Sequence, residues 1–251
     1  MDLGLADRAY IVTGGTRGLG RATAEVLVAE GARVVISSRS QESVDDVVAA
    51  LGATATGVVA DNADSGTPAR LVAAARDTFG RLDGALISVG GPAPGPITER
   101  TDDEWRAAFD SVFLGAVRLA TAVADALDDG GSIAFVLSTS VKAPIPDLGL
   151  SNGLRPGLAM AAKTLADELG PRGIRVNGLM PGRVDTDRVQ ELDAQSGDAA
   201  AAKERHLATI PLRRYGDPAE FGRAAAFLLS PAAGYLSGVM LPVDGGLTRS
   251  L

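Results

Sequence analysis

Short apolar runs rich in β-branched residues alternate with longer Ala-rich amphipathic segments along nearly the whole chain, and this alternation leaves few folds open. RAYIVT, ARVVIS, TGVVA, GALIS, SIAFVLS and IRVNGLM read as strands, with VMLPVD as a seventh. GRATAEVLVAEG, QESVDDVVAALG and GTPARLVAAARDTFG follow the first three strands with helical spacing. TDDEWRAAFDSVFLGAVRLATAVADAL is long and apolar on more than one side, and SNGLRPGLAMAAKTLADELG follows the fifth strand. Strand, helix and strand in repetition imply parallel pairing through right-handed crossovers. Helices then cover both faces of the sheet, which explains why the strands are continuously apolar. The expected fold class is α/β, a doubly wound seven-stranded parallel sheet with helices on both faces. No Pro/Gly/Ser-rich linker divides the 251 residues, so residues 1–251 are read as a single domain. Residues 185–214 break the pattern, being polar, Ala-rich and weakly apolar, as a flap over a site would be.

Composition narrows the chemistry. The formal net charge of −7 repels nucleic acid and anionic membrane, so neither is an expected partner. With no cysteine, disulfides, thiolate metal sites and a cysteine nucleophile are excluded. His206 is the only histidine, which excludes a multi-histidine metal centre, and no metal is expected. The N-terminal MDLGLADRAY has no basic region followed by an apolar stretch, and no unbroken apolar run of 18 residues is found. The expected location is cytoplasmic.

TGGTRGLG, Thr13 to Gly20, lies between the first strand and the first helix. Gly14 permits a tight turn, Gly18 a close approach of backbone to a diphosphate, and Gly20 close packing of the helix on the strand. The amides from Thr16 through Arg17, Gly18, Leu19 and Gly20, with the helix dipole, favour an anion. Ordinary Gly-rich βα turns share the pattern; the strand before it and the helix after it favour a dinucleotide. An NAD site usually has an acidic residue at the end of the second strand, accepting from the ribose hydroxyls. Here that end reads ISSRS, with Arg39 and no acid, and Arg17 lies in the glycine loop. Two guanidiniums and two hydroxyls favour an additional phosphate, so NADP is expected over NAD, although NAD remains possible. The other reading of Arg39 is a solvated loop charge. Asp61 and Asn62 follow the third strand and are placed to meet an adenine amino group.

TGGTRGLG, a third strand ending in Asp61, GPAPGPITERTDDEWRAAF, IRVNGLMPGRVDT and the tail SGVMLPVDGG together resemble the short-chain dehydrogenase/reductase family over essentially the whole chain. The resemblance implies a seven-stranded Rossmann sheet and hydride transfer between NAD(P) and a small-molecule carbonyl or alcohol. It also implies a homotetramer or homodimer that pairs two long helices, here about 101–128 and 152–169, and the C-terminal strand. Pro181, Gly182, Val184 and Thr186 match the loop that holds the nicotinamide carboxamide; the family's NNAG appears as SVGG, Ser88 to Gly91, of which only the glycine end survives, and Gly90 there is an expected cofactor contact.

The family's reaction uses a Ser, a Tyr and a Lys, with a helper Asn. Ser138 matches the Ser. Thirteen residues later, at the Tyr position, stands Ser151, and four further on, at the Lys position, Arg155. Counting from Trp105, the Asn position falls on Val112. A serine hydroxyl is a far weaker acid than a phenol, and Arg is effectively always charged, so this pair is no conservative copy. Arg155 retains the capacity to hold the nicotinamide ribose and to place positive charge where an alkoxide develops. Losing general-acid catalysis costs about 10²–10⁴ in rate, while proximity still supplies several kcal/mol. A bound water is then a source of the proton.

A structural reading of SNGLR stands beside the catalytic one. Asn152 or Ser151 caps a helix that starts late, with Pro156 at its fourth position and Arg155 as a first-turn charge. Lys142, near Ser140, is either a surface lysine or a replacement acid. Trp105 and Tyr215 read as packing residues, His206 as a surface helix residue, and Asp83 and Asp244 as strand-end and tail residues. Two functions follow: an NADP-dependent oxidoreductase with a non-standard proton donor, using Ser138, Ser151 and Arg155, or a dinucleotide-binding pseudoenzyme acting as a sensor or partner subunit. The Pro-rich GGPAPGPI and VKAPIPDLGL imply a fairly hydrophobic substrate.

Overall fold

The computed structural model describes residues 2–128, 130–195 and 197–250. Its elements run β1 (Ala9–Thr13), α1 (Gly18–Ala29), β2 (Arg33–Ser38), α2 (Gln41–Leu51), β3 (Ala55–Val59), α3 (Thr67–Phe79), β4 (Gly84–Ile87), α4 (Asp102–Ala108), α5 (Gly115–Ala126) and β5 (Gly131–Val136). They continue as α6 (Gly149–Leu169), β6 (Ile174–Pro181), α7 (Asp187–Ala194), α8 (Ala199–Thr209), α9 (Pro218–Leu229) and β7 (Met240–Val243). The strands form one seven-stranded sheet in the order β3-β2-β1-β4-β5-β6-β7, and every pairing is parallel. The expected fold class is the one observed. The winding direction reverses between β1 and β4, which opens a crevice beyond their C-terminal ends.

Neighbouring residues of each central strand feed opposite core layers, as a pleated strand requires. Tyr10, Val12, Val34, Ile36 and Ala134 pack with Leu27, Val47, Phe221 and Leu228 from α1, α2 and α9. Ile11, Val35, Ile133 and Phe135 pack with Leu71, Leu119, Val123 and Leu158 from α3, α5 and α6. Each such large side chain removed from water contributes about 1.5–3 kcal/mol. The two filled layers leave the strand ends as the open part of the sheet.

A π-helical turn, Phe109–Leu114, joins α4 to α5. The combined helix Asp102–Ala126 is long and apolar enough by length and composition to cross a bilayer, yet its Leu119, Ala120 and Val123 lie buried against the sheet. The late helix start expected at SNGLR is not observed. Helix α6 begins at Gly149, and Leu148, at its N-cap, makes no side-chain cap. Asn152 instead grips the preceding loop, accepting from Ile145 N at 3.0 Å and donating to Ile145 O at 2.8 Å. Its amide is satisfied from outside the helix, so it has no need to end one. Pro156 therefore sits inside α6 and has no N–H to give to the Asn152 carbonyl.

Helix α5 rests directly on the chain beyond β3. A Cβ at Gly115 would stand 2.0 Å from the Asn62 carbonyl oxygen, so only glycine allows this approach. Gly115→Ala is expected to destabilise the protein by about 1–3 kcal/mol. Thermal unfolding would show the loss. An unchanged melting temperature would contradict the close approach.

Candidate active site

The site begins at the β1–α1 turn. Gly14 (φ 57°) and Gly18 (φ 53°) adopt the left-handed conformation that favours glycine. A Cβ at Gly20 would lie 2.3 Å from the Gly14 carbonyl oxygen. The third glycine thus lets the helix close on its own turn; the close contact on the strand expected from sequence is not the one it makes. Because α1 starts at Gly18, the amides of its first turn have no helical acceptor. At the strand end, Thr13 Oγ1 donates to Ser88 O at 2.8 Å and accepts from Ser88 N at 2.9 Å. This reciprocal pair joins the ends of β1 and β4 where the winding reverses.

A cavity of about 1100 Å³ lies beyond these ends. Gly14, Thr16, Arg17, Gly18, Leu19 and Gly20 line it along the glycine turn. Ser37, Ser38, Arg39, Asp61 and Asn62 line it at the ends of β2 and β3. Gly90, Ser138, Ser151 and Arg155 line it past β4 and β5, and Pro181, Gly182, Val184 and Thr186 past β6. Every site residue expected from sequence therefore meets in one crevice. Its size, its glycine-rich turn and its unpaired helix amides fit a dinucleotide diphosphate.

Three serines line up past the end of β5. Ser138 caps a short 3-10 turn by accepting from Ser140 N at 3.1 Å, and Ser140 Oγ lies 3.4 Å from Ser151 Oγ. Ser140 and Ser151 are both buried. Arg155, one turn along α6, is only 4% exposed. Its Nη1 donates to Val136 O at 2.6 Å and its Nη2 to Val89 O at 3.1 Å. The guanidinium bridges the chain beyond β4 to the end of β5, and it is not a first-turn surface charge. Burial pulls its pKa down to about 10, which still leaves it cationic at neutral pH. Val112 is buried among Ala108, Leu150 and Leu154, so its position supplies no polar group. Trp105 packs over Gly153, where a Cβ would meet its ring at 2.5 Å. Lys142 lines the cavity.

Helices α7 and α8, with Thr186 just before them, line one side of the crevice. Thr186 abuts Gly18, Arg188 Nη2 donates to Pro92 O at 3.0 Å, and Arg17 stands 4.0 Å from Glu191. On α7, Asp193 is buried. Its Oδ1 accepts from Arg183 at 3.0 Å and lies 3.7 Å from His206 Nε2, while its Oδ2 accepts from the Tyr215 hydroxyl at 2.8 Å. Tyr215 is therefore a buried polar anchor as well as a packing residue, and His206 is a part-exposed helix residue that also lines the cavity. Burial and the Asp193 carboxylate raise the Tyr215 pKa, and burial followed by Arg183 lowers that of His206. Asp193 escaped sequence reading because its polar, Ala-rich surroundings carry no apolar period to signal burial.

Comparison with known proteins gives this geometry its family. Residues 14–248 match the family model described as Enoyl-(Acyl carrier protein) reductase. The chain is 35% identical to dehydrogenase/reductase SDR family member 4 of Sus scrofa, covering 98% of this chain and 89% of that protein. It is 34% identical to 2,5-dichloro-2,5-cyclohexadiene-1,4-diol dehydrogenase of Sphingobium indicum, covering 97% of this chain and 98% of the relative. L-sorbose reductase from Gluconobacter frateurii, solved with NADPH and L-sorbose, superposes with a TM-score of 0.94 at 27% identity and full coverage of both chains. The chain belongs to the short-chain dehydrogenase/reductase family. It is an NAD(P)-dependent oxidoreductase of that family.

For this short-chain dehydrogenase/reductase, Arg155→Met leaves the Val136 and Val89 carbonyls without their donor. Each unpaired buried group costs about 1–3 kcal/mol, partly offset by removing a buried cation. Arg155→Lys, with one ammonium for two carbonyls, should fall between that variant and the parent in urea unfolding. Equal stability of all three would show that the bridge carries no weight.

Proposed function

We propose that the protein is an NADP-dependent oxidoreductase that interconverts a small-molecule carbonyl and alcohol without a tyrosine proton donor. The observation that carries the coenzyme choice is the end of β2, where Ser38 and Arg39 line the crevice together with Arg17 and no acidic side chain stands at the strand end. Cationic and hydroxyl donors there suit a ribose phosphate, whereas a carboxylate would suit free ribose hydroxyls. The NADPH named with the structures of L-sorbose reductase and of the reductase YwfH accords with this reading.

The first-turn amides would hold the diphosphate, Arg17, Arg39 and Ser38 the ribose phosphate, and Asp61 and Asn62 the adenine. Gly90 and the Pro181–Thr186 loop hold the nicotinamide end, which when bound supplies or accepts the hydride. The Ser138 hydroxyl orients the carbonyl oxygen. Ser151, in contact with Ser140, extends the hydroxyl cluster. Arg155 contributes fixed positive charge near the developing alkoxide, its N–H groups remaining on the strand carbonyls. Neither serine nor arginine exchanges protons near neutral pH, so the proton comes from another group or from water.

Pro92, Ala93, Pro144, Ile145 and Pro146 form an apolar part of the cavity wall and favour a hydrophobic substrate body. The assembly proposed is a homotetramer or homodimer built on the long helices, on which Phe109 and Met160 are exposed. Its place is the cytoplasm, with no nucleic-acid or membrane partner.

Calorimetric titration should give tighter binding of NADPH than of NADH. Arg39→Ala should selectively weaken NADPH by about 10-fold or more, since a hydrogen bond to a charged group contributes about 1.5–3 kcal/mol. Equal binding of both coenzymes would refute the NADP preference. In a turnover screen of ketones and aldehydes, Ser138→Ala should abolish the NADPH oxidation seen with the parent. Tight NADPH binding with no turnover across the panel would identify a dinucleotide-binding pseudoenzyme instead.

A further inference from the structure

The proton route is the gap in this site, and one wall of the cavity offers a group that fills it. His206 on α8 lines the same cavity as Ser138 and Ser151, and its side chain is 36% exposed. Behind it stands Asp193, 3.7 Å from Nε2 and buried. Asp193 is itself held, by Arg183 at 3.0 Å and by the Tyr215 hydroxyl at 2.8 Å. A carboxylate immobilised behind an imidazole orients the ring and stabilises its protonated form. The cavity wall otherwise carries carboxylates, lysine and arginine among its ionisable side chains. Of these side-chain types only imidazole ordinarily changes charge near neutral pH.

We propose that His206, positioned by Asp193, exchanges the substrate proton in place of the absent phenol. This rests on the oxidoreductase reading above. In alcohol oxidation the carbinol C–H bond breaks and its hydride passes to the nicotinamide dinucleotide. The O–H bond breaks and its proton goes to Nδ1 of His206, the ring nitrogen not turned to Asp193, and from there to solvent; the C=O bond forms. In reduction the protonated imidazole gives that proton to the nascent alkoxide as hydride arrives at carbon. Asp193, Arg183 and Tyr215 are positioning residues, since they act through the ring.

The charges around the imidazole define its behaviour with pH. Asp193 faces it from α7, Arg183 from the segment after β6, and Arg205 from its own helix. Tyr215 reaches Asp193 from the segment before α9. Lys203, also on α8, lies over the Tyr215 ring and 3.9 Å from Asp185. Desolvation and the two arginines outweigh Asp193, holding the imidazole below its ordinary value. The neutral ring then predominates at pH 7, which favours the oxidation direction there and moves the reduction optimum to lower pH.

The test uses the carbonyl compound that turns over in the screen above, and the intact protein. kcat/KM for reduction should fall as pH rises through one inflexion, and kcat/KM for oxidation should rise through the same point. Because the chain has a single histidine, the ¹H–¹⁵N imidazole signals report its titration without assignment, and their midpoint should coincide with the kinetic one. His206→Gln should remove the inflexion and lower kcat by about 100-fold or more while leaving NADPH affinity unchanged. Asp193→Asn should move both midpoints to lower pH. An inflexion that persists in His206→Gln, or an imidazole midpoint that does not match it, overturns this assignment alone. NADPH binding without turnover overturns it together with the oxidoreductase reading, and absence of dinucleotide binding removes the coenzyme as well.

Discussion

The approach of Gly20 to the Gly14 carbonyl is the constraint on which the rest of the site depends. Any side chain at Gly20 would place a carbon 2.3 Å from that oxygen, so the first helix could not begin where it does. Starting there aims its free amides into the crevice, and the Thr13–Ser88 pair holds β4 beside β1 at the same level. The crevice is therefore a consequence of backbone geometry, with the parallel sheet supplying the reversal of strand order that opens it.

At the other end of the crevice stand a serine and a guanidinium with separate contacts. Arg155 has turned to the Val136 and Val89 carbonyls, fastening the strand ends that carry the site. Ser151 has joined Ser140 and, through Ser140, the turn capped by Ser138. Neither group changes charge near neutral pH, which shifts attention to α7 and α8, where buried Asp193 ties α7 to Arg183 and Tyr215 and stands beside His206.

Much of this was legible in the residues. The parallel sheet followed from apolar strands alternating with amphipathic helices, and the glycine turn from its setting between a strand and a helix. The start of α6 was misread because an Asn before a Pro resembles a cap; Asn152 instead satisfies its amide on Ile145, a partner that only the returning loop supplies. Asp193 gives no sign of burial, and His206 reads as a surface helix residue, because their segment looks solvated. Packing of α7 and α8 at the crevice buries Asp193 and leaves His206 part-exposed, and no periodicity in that segment encodes it.

The sequence by itself determined the fold class and the glycine turn between β1 and α1, because each rests on local properties: periodicity and glycine conformations. Tertiary structure alone decided what the remaining polar groups do. Whether a guanidinium meets a ribose or a strand carbonyl, and whether a lone imidazole faces water or a cavity, depends on groups brought together from distant parts of the chain, and hydrogen-bond reach of about 3 Å is set only after folding.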